Sequence, residues 1–301
     1  MRNLANVRGC PVSFFSEYKK SLKMAEVEEF VDLYFYRPLA YLLVRAIYRT
    51  SITPNQITLF SITIGLAAAF CFGNGPTTAV IGAVLYAASV VLDCADGQLA
   101  RLKKNGTRMG RVLDGVVDYI VGISAYFGIA VGLKPPAWPA SRWWLLIVAA
   151  AASNIFHSLA IDYYRTRFLN VILDTTHGED EDSRSFADER AALRAAGRRP
   201  LKRWAIGIYL RYLDLQRKTA VPPGRNGADW KSRRTEFRAA NGTILRLWTF
   251  LGSSTQITLL IAAVLLGRFT YYFWAMIIVL NLWAAVLYLI QNGIDRRLER
   301  R

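Results

Sequence analysis

Long apolar segments constrain the fold of this 301-residue chain more than any other feature. A helix of about 20 apolar residues is long enough to cross the hydrocarbon core of a bilayer. Because that core offers no water to the backbone, segments that cross it must satisfy their own backbone hydrogen bonds, as a helix does. The sequence therefore predicts an all-α integral membrane protein with six transmembrane helices. The predicted spans are residues 57–72, 77–97, 108–133, 143–161, 244–266 and 269–289.

Polar segments flank and interrupt these spans. Residues 27–50 alternate apolar and basic side chains, which predicts an amphipathic helix on the membrane surface, kinked or interrupted at Pro38. Four regions follow: a cytoplasmic N-terminus with this juxtamembrane helix (1–50), spans one to four (51–164), a cytoplasmic insert (165–240), and spans five and six with a basic tail (241–301). Within the insert, residues 187–196 favour a helix.

The distribution of positive charge predicts the orientation. The chain carries 38 Lys and Arg and a formal charge of +16, but the predicted outer loops contain only Lys134, Arg142 and Arg268. Basic residues collect on the cytoplasmic side of membrane proteins. Residues 1–29 also lack the continuous apolar core of a secretion signal. We therefore expect both termini in the cytoplasm, the basic residues against anionic lipid headgroups, and no nucleic-acid partner.

Four aspartates follow the helical repeat at the predicted cytoplasmic ends of spans two and three. Asp93 and Asp96 are three residues apart on span two, and Asp114 and Asp118 are four apart on span three. Each pair therefore lies on one helix face. Because a short turn joins the spans, we expect antiparallel neighbours that bring the four carboxylates together.

Carboxylates at the membrane face need cations, and oxygen ligands of this kind suit a pair of hard divalent ions. Gly97, Ala100 and Gly110 remove bulk beside the carboxylates, so a large substrate has room to approach. Arg101 is placed for a phosphate group. Since Mg²⁺ binds through carboxylates together with substrate phosphates, the pattern indicates pyrophosphate chemistry.

The spacing Asp93-x2-Asp96-Gly97-x2-Ala100-Arg101-x8-Gly110-x3-Asp114-x3-Asp118 resembles the signature of the CDP-alcohol phosphotransferase (CDP-alcohol phosphatidyltransferase) family at every defined position. The resemblance extends over residues 27–164 and 241–290. It implies a phospholipid-synthesising enzyme that transfers a substituted phosphate from a CDP-alcohol to an acceptor alcohol and releases CMP.

The resemblance also implies roles for single residues. Two ions, Mg²⁺ or Mn²⁺, would be held by the four aspartates of the signature. Asp118 would in addition be the general base that takes the acceptor hydroxyl proton. Gly97, Ala100 and Arg101 would line the CDP site. A homodimer is implied as well.

The donor and the acceptor are less constrained. Six spans after a surface helix favour CDP-diacylglycerol as donor, and the stretch from Arg37 to Asn55 is similar to members that transfer onto inositol or inositol phosphate. A transfer from CDP-choline or CDP-ethanolamine to a lipid alcohol is the alternative. Arg165, Arg238 and Arg246 lie at the predicted cytoplasmic ends of spans four and five, where they would form an acceptor pocket or bind lipid headgroups.

Two other classes compete with this interpretation. A membrane prenyltransferase also uses aspartates and Mg²⁺, but its aspartate motifs are spaced differently and lie on separated helices. A metal transporter or a silent scaffold is the non-enzymatic alternative. Transporter sites lie near the bilayer midplane, whereas the four aspartates lie at one face. Release of CMP would indicate the phosphotransferase, and uptake of metal without release of CMP would indicate a transporter.

Overall fold

A computed structural model describes residues 26–104, 108–173, 176–195 and 233–300, together with single positions between 18 and 24 and between 203 and 211. Within these ranges the side chains of 108–116, 176–185 and 299 are outside the description. The described chain is helical, and no strand occurs in it, so the predicted all-α class is confirmed.

The first helical segment passes a proline without breaking. A π-helical stretch, Asp32–Tyr36, leads directly into α1, Arg37–Ile47. The Arg37 N–H donates to the carbonyl of Asp32, five residues back, and this wide turn accommodates Pro38, which has no N–H to donate.

One face of α1 is buried against α3 (Pro76–Lys103), where Ala40 and Val44 meet Ala95 and Leu99. The Gln98 side chain of α3 also donates to the Arg37 carbonyl over 3.0 Å. The opposite face of α1 is exposed and apolar, and Leu39 and Leu42 lie on it. The amphipathic helix on the membrane surface stays a prediction.

The next helix, α2, is Pro54–Gly73, and a capping box at Thr53 forms its N-terminus. Thr53 Oγ1 accepts from the Gln56 N–H over 3.4 Å, and Gln56 Oε1 accepts from the Thr53 N–H over 2.9 Å. This reciprocal pair satisfies two backbone donors that the first turn leaves open. At the other end, Gly75 has a φ of +103°, which favours glycine, and α3 starts at the next residue.

Two glycines bring α2 close to α4, Arg108–Gly132. A Cβ at Gly128 would overlap the carbonyl of Ala69, and a Cβ at Gly132 would overlap the carbonyl of Phe72. The helix α3 also packs along α2. The helix α2 is therefore the shared packing partner of α3 and α4, the two helices that carry the aspartates.

The fourth predicted span is longer than the sequence indicates. The helix α5 covers Ala140–Leu173, and α6 follows at Thr176–Ala195. Near the end of α5 the buried Arg167 donates to both carboxylate oxygens of Asp295 over 2.7 and 2.9 Å. This ion pair fixes the polar continuation of α5 against the C-terminal helix.

The fifth predicted span is interrupted. The helix α7, Arg234–Trp248, ends in a 3₁₀ turn, Thr249–Leu251, and α8, Ser253–Leu265, begins after Gly252. The last span consists of α9 (Phe269–Trp274), a π-helical stretch (Ala275–Leu280) and α10 (Asn281–Glu299).

Buried polar side chains join α5, α8 and α10 at these interruptions. His157 bonds Asn281 over 2.9 Å and Gln256 over 3.2 Å through its two ring nitrogens. The Gln256 side chain donates to the Leu251 carbonyl over 2.6 Å, and Asn154 donates to Gln256. Polar groups inside a membrane protein need such partners, and the network holds the interrupted span in place.

Five helical segments of the described chain are long and apolar enough to cross a membrane: Pro54–Gly73, Pro76–Lys103, Ala140–Leu173, Arg234–Leu265 and Phe269–Leu298. They confirm five of the six predicted spans as membrane-length apolar helices. The third predicted span corresponds to α4, of which the shorter apolar part Val117–Gly132 is described with its side chains. Its crossing of the membrane stays a prediction.

Candidate active site

The acidic signature falls on two helices that are consecutive in the chain. Asp93 and Asp96 lie in the last three turns of α3, and Asp114 and Asp118 lie in the first half of α4. The side chain of Asp114 is outside the described residues, so its position relative to the other three carboxylates stays a prediction.

A cavity of about 730 Å³ opens between α3, α4, α5 and α8, and Asp93 and Asp118 both line it. The sequence predicts that α3 and α4 face each other directly. In the structure both helices pack on α2, and each contributes to the wall of the cavity. Two aspartates that are 25 positions apart in the sequence therefore reach one space from two helices.

The cavity has a polar region and an apolar region. Charged side chains line the polar region; they are Glu29, Asp93, Asp118, Asp162 and Arg165. Apolar and aromatic side chains line the rest, among them Tyr86, Val121, Ile257, Leu260 and Tyr272. Since Tyr86 precedes Asp93 by seven residues on α3, the cavity extends about 10 Å along that helix.

Asp96 has a different environment from Asp93 and Asp118. It is buried, and its carboxylate accepts a hydrogen bond from the Thr58 hydroxyl of α2. The Thr58 hydroxyl also lies 3.2 Å from the carbonyl of Pro54. The hydrogen bond fixes the orientation of Asp96, whereas Asp118 is exposed on the cavity wall.

The three residues predicted for a CDP site lie together on α3. Gly97 lies beside the Arg101 side chain, since a Cβ at position 97 would be in ordinary contact with Arg101 Nη1 at 3.4 Å. Arg101 Nε donates to the carbonyl of Ser21 over 2.5 Å. Ala100 is half-buried on the same helix.

A second acidic cluster, absent from the sequence predictions, lies at the N-terminus of α8. Glu29 Oε2 accepts the Ser254 N–H over 3.0 Å, and a Cβ at Gly252 would overlap the Glu29 carboxylate. Burial and the neighbouring Asp32 raise the pKa of Glu29 from 4.5 to about 8, against the opposing effects of Arg165 and the helix N–H groups. Burial raises the pKa of Asp32 as well.

Arg165 connects this cluster to the cavity. Its guanidinium lies 3.9 Å from Glu29 Oε1 and 3.9 Å from Asp162 Oδ1, and all three residues line the cavity. The sequence assigns Arg165 to an acceptor pocket, and in the structure Arg165 lines the same cavity as Asp93 and Asp118. That assignment remains a proposal.

The other two arginines of the predicted pocket lie elsewhere. Arg238 is exposed and forms an ion pair with Glu26, and Arg246 is exposed on α7. Neither is among the described residues that line the cavity. Sequence reasoning missed Glu29 and Asp162. The Gly252-Ser253-Ser254 sequence, typical of a helix N-terminus, was the available signal that span five is interrupted.

The donor set fits a hard divalent cation. Carboxylate oxygens from α3 and α4 reach the cavity, and such oxygens are the ligands that Mg²⁺ and Mn²⁺ prefer. Among the side chains that the structure describes, no three of His, Cys, Asp or Glu form a group able to hold a metal ion. The predicted set of four metal ligands includes Asp114, whose side chain is outside the described residues.

Comparison with known proteins identifies the class of this site. Residues 51–171 match the sequence model of the CDP-alcohol phosphatidyltransferase family. This range contains α2, α3, α4 and most of α5, and with them all four aspartates. Residues 51–171 therefore match a CDP-alcohol phosphatidyltransferase domain, and the resemblance that the sequence signature predicts is confirmed for this part of the chain.

Three curated proteins are similar to parts of the chain. A bifunctional IPC transferase and DIPP synthase of Aquifex aeolicus is 29% identical over 113 residues, which are 38% of this chain and 25% of that protein. An archaetidylinositol phosphate synthase of Pyrococcus horikoshii is 35% identical over 81 residues, 27% of this chain and 42% of that protein.

The third relative is a phosphatidylinositol phosphate synthase of Corynebacterium glutamicum, 32% identical over 141 residues, 43% of this chain and 55% of that protein. The chain thus spans between a quarter and about half of the length of these relatives.

Proposed function

We propose that this protein transfers the lipid phosphate of a CDP-alcohol, CDP-diacylglycerol, to a hydroxyl of an inositol-type acceptor and releases CMP. One observation carries the proposal: Asp93 and Asp118, two fixed positions of the family signature, line a single large cavity. The family match over residues 51–171 supports it, and so do two of the three relatives, which are named as synthases of inositol phosphate lipids.

The shape of the cavity supports a donor with a charged head and an apolar tail. The carboxylates line its polar region, and side chains such as Val121 and Leu260 line the apolar region that extends along α3. A nucleotide head at the aspartates would leave the lipid of the same molecule beside apolar walls. A fully polar donor would leave the apolar walls against water.

Asp93, Asp96, Asp114 and Asp118 are the residues that would hold two divalent ions, Mg²⁺ or Mn²⁺. Bound there, the ions would neutralise charge on the pyrophosphate and on the departing CMP. The buried hydrogen bond from Thr58 would orient Asp96 for this role. Gly97, Ala100 and Arg101 would contact the CDP part, with Gly97 next to the Arg101 guanidinium.

The transfer is a displacement at the phosphorus that carries the lipid. The acceptor hydroxyl oxygen forms a bond to this phosphorus, and the bond from phosphorus to the bridging oxygen breaks. CMP leaves with the electron pair of that bond. Asp118, which is exposed on the cavity wall, accepts the hydroxyl proton as general base. The products are a phosphodiester lipid, CMP and one proton.

The orientation and assembly of the protein belong to the same proposal. Only three of the 38 Lys and Arg fall in the predicted outer loops, which supports cytoplasmic termini and a cytoplasmic active site. The exposed apolar face of α1 supports its placement on the membrane surface. A homodimer follows from the family resemblance.

The proposal is tested by CMP release from CDP-diacylglycerol by the purified protein in detergent, with Mg²⁺ or Mn²⁺. The acceptor panel is inositol, inositol phosphate, glycerol phosphate and serine, together with CDP-choline plus diacylglycerol as an alternative pair. We expect CMP only when an inositol-type acceptor is present. Asp118→Asn should abolish it, whereas Asp188→Asn, the same change at an exposed position of α6, should not.

Other outcomes point to other functions. CMP release from CDP-choline with diacylglycerol would show that the proposed donor and acceptor are wrong and that the reaction class is right. Metal uptake into proteoliposomes without CMP release from any pair would favour a transporter and overturn the proposal.

A further inference from the structure

One face of α3 leads from the signature aspartates into the apolar region of the cavity. Four residues of α3 line the cavity in a row: Tyr86, Ser89, Val90 and Asp93. Their spacing of three, four and seven residues places them on one side of the helix. Asp93 is at the polar end of this row, and Tyr86 lies about 10 Å away at the apolar end. A ligand with its phosphates at Asp93 would therefore reach Tyr86 with a part that is several bonds from those phosphates.

The Tyr86 side chain is fixed in the wall of the cavity. It is 4% exposed, and its ring packs edge-on against the ring of Phe72 in α2, with 6.2 Å between the centroids. Its hydroxyl is not fully enclosed, and it has no hydrogen-bond partner among the residues that the structure describes. The ring is therefore held by packing, while the hydroxyl at the cavity is free to bind a ligand.

Neighbouring hydroxyls on the cavity wall already have partners. The Ser61 and Ser89 hydroxyls each donate to the backbone carbonyl of the other residue, over 3.1 and 3.0 Å. The hydroxyls of Tyr126 and Tyr272 bond each other over 3.0 Å. A buried tyrosine hydroxyl usually has a partner, because an unmade hydrogen bond in a buried place is costly. The Tyr86 hydroxyl is therefore a donor whose partner we expect to be supplied by a bound ligand.

The proposed donor carries a suitable acceptor at about the right distance. Beyond its phosphates, CDP-diacylglycerol offers the carbonyl oxygens of its two acyl esters as hydrogen-bond acceptors. About six bonds separate the lipid phosphorus from the nearer carbonyl oxygen, which is roughly 7 Å in an extended chain. A donor with its phosphates at Asp93 and its chains along the apolar wall would thus bring an ester carbonyl to the level of Tyr86.

We infer that the Tyr86 hydroxyl donates a hydrogen bond to an acyl ester carbonyl of the donor lipid, and that Tyr86 thereby selects a diacyl lipid over one with ether-linked chains. An ether-linked lipid lacks the projecting carbonyl oxygen, so it would leave the hydroxyl without a partner in an apolar place. Sites built around a hydrogen bond reject ligands that lack the matching group. The inference rests on the proposed function and assigns a residue to the choice of its donor.

The test compares CDP-diacylglycerol with its dialkyl ether analogue of equal chain length in the CMP-release assay. We expect the wild type to have the higher kcat/KM with the diacyl donor. Tyr86→Phe keeps the ring and its contact with Phe72 and removes only the donor. It should raise the KM for the diacyl donor roughly 3- to 10-fold, the size of one neutral hydrogen bond, with kcat little changed. The KM for the ether analogue should stay the same, so the preference for the ester is lost.

Two further tyrosines provide matched controls. Tyr126→Phe removes a hydroxyl from the same cavity, but one that bonds Tyr272, so it should affect both donors equally and keep the preference. Tyr288→Phe changes an exposed position of α10 outside the described lining and should behave like the wild type.

A wild type that uses both donors equally well would overturn the inference. An equal rise of both KM values in Tyr86→Phe would overturn it too, because the hydroxyl would then not distinguish the ester from the ether. In those cases CMP is still released and the proposed transferase reaction stands. A wild type that releases CMP from neither donor, with any acceptor, overturns the proposed function and this inference together.

Discussion

The hydroxyl of Thr58 in α2 donates a hydrogen bond to the carboxylate of Asp96 in α3, and both side chains are buried. The capping box at Thr53 fixes where α2 begins, so Thr58 lies about one turn inside a helix with a defined start. Partners of this kind orient metal ligands, and their loss lowers metal affinity or activity.

Thr58→Val keeps the shape of the side chain and removes the donor. If Asp96 is a metal ligand, the variant should need roughly 10- to 100-fold more Mg²⁺ for half-maximal CMP release, with activity recovered at saturating Mg²⁺. Titration of activity with Mg²⁺ measures the shift. Thr63→Val is the matched control on the same helix, because the Thr63 hydroxyl is exposed and donates only within its own helix. A Thr58→Val titration that coincides with the wild type would show that Asp96 binds no metal that activity requires.

The acidic cluster at α8 makes stability depend on pH. Burial raises the pKa of Glu29 from 4.5 to about 8, so between these values the unfolded chain releases a proton that the folded protein retains. The free energy of unfolding should therefore fall as the pH rises from about 4.5 to about 8 and then level off. Glu29→Gln imitates the protonated carboxyl and should remove this slope, making the variant more stable than the wild type at pH 8.

Thermal unfolding in detergent between pH 5 and pH 9 measures the effect. Glu26→Gln is the control, because the hydrogen bond from Arg238 lowers the pKa of Glu26, so its contribution is lost at acid pH and not near pH 8. If Glu29→Gln keeps the slope of the wild type, another group is responsible for it.

Gly252 is the residue that permits the contact between Glu29 and α8. Gly252→Ala would place a methyl group on the Glu29 carboxylate and should destabilise the protein by roughly 1–3 kcal/mol, the usual cost of overpacking. Gly242→Ala provides the comparison. It lies in α7 with open space around it, and alanine there should stabilise the helix by up to about 1 kcal/mol. Equal effects of the two substitutions on thermal unfolding would contradict the close contact at Gly252.

Local signals in the sequence predicted much of the fold. The apolar length of five spans depends only on residues that are neighbours in the chain, and it was confirmed. The interruption at Gly252 was missed because apolar residues on both sides of it raise the mean hydropathy of the whole predicted span, residues 244–266. The extension of α5 beyond residue 161 was missed because its polar end is stabilised by a distant partner, Asp295.

The sequence predicted only those residues of the candidate site that follow a regular spacing along one helix. The repeat that relates Asp93 to Asp96, and Asp114 to Asp118, can be read along single helices. Glu29 cannot be found in this way, because its partner Ser254 is 225 positions away. The contact depends on how the N-terminal segment packs against α8, which no local pattern encodes.

The three arginines of the predicted acceptor pocket provide the last test, because the structure separates them. Arg165 lines the cavity, whereas Arg246 is exposed on α7 and is not among the described lining residues. Arg165→Ala should raise the KM for the acceptor roughly 10- to 100-fold through the loss of a charged hydrogen-bond donor. Arg246→Ala should change it much less, because an exposed cation at a membrane face contributes through solvent-screened attraction. The measurement is the acceptor KM at saturating CDP-diacylglycerol and Mg²⁺. An equal rise in both variants would place Arg246 in the pocket, as the sequence predicts, and an unchanged KM in Arg165→Ala would remove Arg165 from it.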